Sequence, residues 1–139
     1  AGSRGASFTH GYGRDTFNGG SGDDVLSYAN ATRSVTATVD GVANDGVSRE
    51  YDRVGAGIEQ IVGSSFNDRI GGDPAGQTLT GGLGIDVLVS GPGPDRLEGG
   101  DGFDVADYST RTDALTLRND GSATSGARST GSSSRARRA

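Results

Sequence analysis

The chain has 139 residues, of which 26 are Gly and only 31% are apolar; this is too poor in hydrophobes for a broad core and leaves disorder, a thin-cored repeat, or order imposed by a ligand. It has no Cys and one His, which excludes disulfides, thiolate metal sites and the usual His/Cys zinc site. The net charge of −5 disfavours nucleic acid and anionic lipid as partners and favours cations, and no apolar run approaches the ~18 residues of a membrane span.

Residues 1–27 open the chain with nonapeptides. HGYGRDTFN (10–18) and GGSGDDVLS (19–27) share a frame, and AGSRGASFT (1–9) keeps only its apolar residue, Phe8. Residues 28–53 form a spacer. Within it Val35, Ala37 and Val39 alternate with Ser34, Thr36 and Thr38, a period of two that predicts a strand with one buried face. Asp40-Gly41 and Asp45-Gly46 then read as turns. The Asp40–Gly46 stretch fails as an EF-hand loop, because Val42 stands at a ligand position and Asp45 where the glycine belongs.

Residues 54–107 hold the main block, six consecutive units: VGAGIEQIV, GSSFNDRIG, GDPAGQTLT, GGLGIDVLV, SGPGPDRLE and GGDGFDVAD. Across the eight full units position six is Asp15, Asp24, Glu59, Asp68, Gln77, Asp86, Asp95 and Asp104. Position eight is Phe17, Leu26, Ile61, Ile70, Leu79, Leu88, Leu97 and Ala106. Residues 108–126 begin a second spacer: residues 19–46 recur 80 positions on as 99–126, so that Tyr28 matches Tyr108 and Asp40-Gly41 matches Asp120-Gly121. Both tyrosines read as packing residues that close a coil. Residues 127–139, rich in Arg and Ser and free of acid, read as a disordered tail. The chain has no Met, which suggests a processed form or a fragment.

A Gly-rich turn of six residues followed by a three-residue strand reverses the chain every nine residues. Glycines at positions two and four, namely Gly20, Gly22, Gly82, Gly84, Gly91, Gly93, Gly100 and Gly102, allow carbonyls to point into the turn. The position-six Asp adds a carboxylate to the same concavity. Carbonyl and carboxylate oxygens, without nitrogen or sulfur, form a ligand set for a hard cation, and flexible turns suit Ca²⁺ better than Mg²⁺. Position eight points inward from each strand. Two nonapeptides make one coil, so two sheets face each other across a core one side chain thick.

GGSGDDVLS, GGLGIDVLV and GGDGFDVAD resemble the GGxGxDxUx repeat of RTX (hemolysin-type) calcium-binding proteins. The resemblance spans roughly residues 10–121 and implies an all-β fold, a right-handed parallel β-roll or β-solenoid. It also implies export to the cell exterior or surface and folding on extracellular calcium.

Successive turns fall on opposite edges, so each calcium is expected between units n and n+2. One edge stacks Asp68, Asp86 and Asp104, and there binding is expected, with Phe66 in place of Gly as a departure near Asp68. The other stacks Glu59, Gln77 and Asp95. There binding is expected to be weak or absent, since Gln77 is uncharged and Asp73-Pro74-Ala75 replaces the glycines. Asp15 and Asp24, also candidate calcium ligands, lie on opposite edges without an n+2 partner in their own run, which leaves irregular coil from residues 28–53 to pair with them. No catalytic constellation is visible: His10, the sole candidate base, reads as a surface or turn residue. The chain is expected not to be an enzyme. The alternatives are a fragment of a secreted hydrolase or toxin whose catalytic domain lies elsewhere, or one repeat of a calcium-dependent adhesin, with a catalytic domain or further repeat units as partners.

Overall fold

The computed structural model describes residues 4–112 and, as backbone, Arg128–Thr130 and Arg135–Arg137. Among these residues there are strands and turns and no helix. The spacer beyond residue 112 and most of the tail fall outside the described residues. In chain order the strands are β1 (Ser7–Thr9), β2 (Thr16–Phe17), β3 (Val25–Ser27), β4 (Val35–Thr38), β5 (Ala43–Val47), β6 (Asp52–Val54) and β7 (Gln60–Val62). They continue as β8 (Arg69–Gly71), β9 (Thr78–Leu83), β10 (Val87–Val89), β11 (Arg96–Asp101), β12 (Val105–Asp107), β13 (Arg128–Thr130) and β14 (Arg135–Arg137).

Alternate units feed alternate sheets. One sheet runs β1-β3-β7-β9-β11-β13 and is parallel throughout. The other runs β14-β12-β10-β8-β4-β5-β6-β2. Within the main block the register advances by two nonapeptides per step, Arg69 beside Val87 beside Val105 in one sheet and Thr78 beside Arg96 in the other. All eight position-eight residues are buried in one core, which receives side chains from both sheets. Each of the eight nonapeptide strands therefore contributes its position-eight side chain and β4 adds Val35 and Ala37, and this is how a chain so poor in hydrophobes fills its interior.

The expectation of a wholly parallel roll needs correction at the spacer. β4 buries Val35 and Ala37 on one face, as their alternation predicts, and pairs parallel with β8, but β5 runs antiparallel to both β4 and β6. Asp45-Gly46 is therefore a strand segment and not a turn. The reason is local: the buried Asp45 carboxylate accepts the amides of Thr38 (2.7 Å) and Val54 (3.0 Å), so it joins two strands instead of closing a bend. Asp40-Gly41 does form the expected turn. Tyr28 and Tyr108 are both fully buried and end their coils alike, with the amides of Ala31 and Arg111 donating to their respective carbonyls.

Candidate metal centre

The residues that precede β8, β10 and β12 of the second sheet set one edge of the repeat block. Asp68, Asp86 and Asp104 stand there one above another, all buried. The Asp68 amide donates to Asp86 Oδ1 (2.7 Å), the Asp86 amide donates to Asp104 Oδ1 (3.0 Å), and the Val35 amide donates to Asp68 Oδ1 (2.8 Å). One oxygen of each carboxylate is thus fixed by the neighbouring coil. The second oxygens differ. Asp68 Oδ2 accepts from the amide (2.5 Å) and hydroxyl (3.0 Å) of Ser64, whereas Asp86 Oδ2 and Asp104 Oδ2 are buried with no hydrogen-bond partner. A buried anionic oxygen without a donor is costly, and two of them in register call for a cation.

The glycines line the same concavity. A Cβ on Gly81 would press on Asp86 Oδ2 and on Gly99 O, and one on Gly99 would press on Asp104 Oδ2. Gly84 and Gly102, at φ of 115° and 136°, stack so closely that a Cβ on Gly102 would collide with Gly84 O. Only glycine adopts this left-handed, close-stacked backbone, and at Gly81 the Gly99 carbonyl and the unpaired Asp86 Oδ2 border one space. Oxygen donors from flexible turns fit Ca²⁺.

The opposite edge is built differently. The Gln77 amide donates to Asp95 Oδ1 (2.8 Å), which repeats the ladder, but Asp95 Oδ2 is taken by the Ser90 hydroxyl (2.8 Å). Gly91 and Gly93 are not in the left-handed region; each precedes a proline, and that disfavours helical backbone. Their carbonyls receive Arg111 Nη1 at 3.1 and 2.7 Å. Arg111 is 6% exposed, so its guanidinium brings a buried positive charge to the turn. Removing it leaves carbonyls without their charged donor, and Arg111→Ala is expected to lower stability by roughly 1–3 kcal/mol, read as a lower urea midpoint in saturating calcium.

Asp24 and Asp15 find partners across the spacer. Asp24 joins the second edge: the Ala6 amide donates to its Oδ1 (2.5 Å), its own amide donates to Glu59 Oε2 (2.7 Å), and its Oδ2 is buried and unpaired. Gly19 packs on this carboxylate and on the Gly57 carbonyl, while Gly20 and Gly22 take positive φ as Gly82 and Gly100 do. Asp15 joins the first edge, where its amide donates to Asp52 Oδ1 (2.9 Å). Asp52 is a position-six residue that the frame does not mark. Its only sequence signal is the spacing Asp52-Arg53-Val54, which repeats the acid-to-apolar interval without the glycines. His10 is corrected as well: it is 6% exposed and lies against Tyr28, with ring centroids 5.2 Å apart.

Burial raises the Asp86 carboxyl to about 6; the Asp68 amide opposes the rise, and the charges of Asp68 and Asp104 add to it. Burial likewise raises Asp45 to about 6, against the amides of Thr38 and Val54. A carboxyl raised in the fold above its unfolded value near 3.9 holds its proton better when folded, so between about pH 4 and 6 the calcium-free fold gains stability as pH falls. Calcium binding at Asp86 would require the deprotonated carboxyl, so affinity there is expected to change in the opposite sense and to weaken below about pH 6. In chelator, acidification from pH 7 to 5 is expected to restore part of the β-sheet circular dichroism. In calcium, the same change raises the calcium midpoint.

The sequence profile of the RTX calcium-binding nonapeptide repeat matches the chain in four copies, over residues 11–29, 54–74 and 71–106, more than half its length. No curated protein matches it in sequence. No helix among the described residues is long and apolar enough to cross a membrane.

Proposed function

Because the chain belongs to the RTX calcium-binding nonapeptide repeat family, whose repeats bind Ca²⁺, we propose that it is a secreted module that folds on meeting extracellular calcium. In this reading it winds as a right-handed β-roll. The parallel register at two nonapeptides per step supports that winding, as does the strong right-handed preference of parallel crossovers. Repeat domains of this family are non-catalytic calcium-binding modules, and export exposes them to calcium at concentrations that such turns can use.

The observation that carries the reading is the pair of buried, unpaired oxygens, Asp86 Oδ2 and Asp104 Oδ2, packed on the glycines Gly81 and Gly99, where a Cβ would strike them. Calcium sits, on this proposal, between turns 63–68 and 81–86, between turns 81–86 and 99–104, and at Asp24. The first of these is the weaker, since Ser64 already serves Asp68. The Asp95 turn takes none, because Arg111 supplies the positive charge there. Equilibrium dialysis against calcium tests the assignment: Arg111→Ala gains an ion that the parent chain lacks if Arg111 stands in for calcium, and an unchanged count removes that part of the proposal.

A further inference from the structure

We propose that His10, Glu50 and Asp52 form a second metal site, for a divalent transition ion of the zinc class, distinct from the calcium-facing turns. The three side chains each place one donor atom within 4.8 Å of the others. His10 Nε2 lies 3.5 Å from Glu50 Oε2, and His10 Nδ1 lies 3.7 Å from Asp52 Oδ2. Both separations exceed a hydrogen bond; His10 Nδ1 and Asp52 Oδ2 are buried with no hydrogen bond of ordinary geometry, and the buried Tyr28 hydroxyl lies beside the same Asp52 carboxyl. His10 is 6% exposed and Asp52 fully buried, so water does not relieve either atom.

The site follows from one change in the repeat. On this edge position one of the unit is Gly63, Gly81 or Gly99, and a Cβ there would strike the carboxylate of its own turn. In the unit 10–18 position one is His10. Here the matching carboxylate of the next coil is Asp52, held through Oδ1 by the Asp15 amide with Oδ2 turned towards the ring. An imidazole thus stands where the other turns leave an oxygen-lined space. Glu50 completes the group; the Val47 amide donates to its Oε2 (3.1 Å), and its neighbours Arg49 and Tyr51 both take positive φ, 76° and 61°, an uncommon backbone for residues other than glycine.

One imidazole nitrogen and two carboxylates suit zinc better than calcium, which prefers oxygen alone. Three protein ligands leave a fourth position open to water, and a cavity of about 100 Å³ lined by His10, Tyr12, Asn30, Thr32 and Glu50 adjoins the group. Donors on tetrahedral zinc lie about 3.3 Å apart, so closure asks for side-chain shifts of about an ångström.

His10 is the sole histidine, so its imidazole resonances report on the unmodified chain. With calcium saturating, one equivalent of zinc chloride is expected to move them to a new position in slow exchange. Calorimetry on the same sample is expected to show one zinc per chain, weakened at least tenfold in Glu50→Gln with calcium uptake unchanged. Resonances that ignore a tenfold excess of zinc would overturn the proposal and leave His10 a packing side chain of the buried edge. Displacement of bound zinc by added calcium would overturn it too, making this another calcium turn.

Discussion

In excess chelator at pH 7 the chain is expected to lose most of its β-sheet circular dichroism, and about 1 mM calcium, tenfold over an extracellular-type dissociation constant, is expected to restore it. The expectation follows from charge held close together over a thin core. Parallel strands stack about 4.8 Å apart, so the ionised ladder of Asp68, Asp86 and Asp104 repels itself by about 1 kcal/mol per neighbouring pair in water and more where buried. The core that resists this repulsion is thin, one position-eight side chain per nonapeptide strand with a few from the spacer. An ion that neutralises two carboxylates reverses the sign. For an extracellular-type dissociation constant near 10⁻⁴ M, tenfold excess calcium adds about 1.4 kcal/mol per site, and two or three sites bring this to about 3–4 kcal/mol. Domains are stable by only ~5–15 kcal/mol, so that sum decides between folded and unfolded. A spectrum that survives chelation would show that packing alone suffices.

Asp86→Ala is the single substitution expected to do most harm to binding, and Asp95→Ala among the least. Asp86 touches both neighbours: its Oδ1 accepts the Asp68 amide, its amide donates to Asp104 Oδ1, and its Oδ2 faces glycine-lined space. Its loss strips a ligand from both turn pairs of the edge, so calcium uptake is expected to fall by two ions, or affinity by at least about tenfold. Asp95 has both oxygens engaged, by Gln77 and Ser90, in a turn already holding Arg111. Its replacement costs stability but is expected to leave calcium uptake unchanged. Equal losses in a side-by-side dialysis would refute the assignment of edges.

The two sheets, the buried position-eight residues and the alignment of Asp68, Asp86 and Asp104 were legible because the nine-residue beat is local and uninterrupted from 54 to 107. What the beat could not carry lay where it breaks. Asp52 enters the ladder only because β5 doubles back between β4 and β6, and nothing in the run from Val47 to Arg53 carries the glycines that would mark a turn. Arg111 reaches Gly91 and Gly93 from beyond the last repeat, a contact that depends on how the chain leaves the final coil. Gly91 and Gly93 satisfy the motif in letters, yet the prolines that follow them deny the left-handed backbone seen at Gly82 and Gly100. His10 looked solvent-facing because its partners, Glu50 and Asp52, are some forty residues away and meet it only through the pairing of β2 with β6.

Calorimetric titration of the chelator-treated chain with calcium, followed in parallel by circular dichroism, addresses the central claim most directly. Saturable uptake of at least two ions per chain, with sheet signal rising in step with occupancy, is the predicted result. Heats no larger than dilution, or ions bound without any gain in sheet, would contradict it.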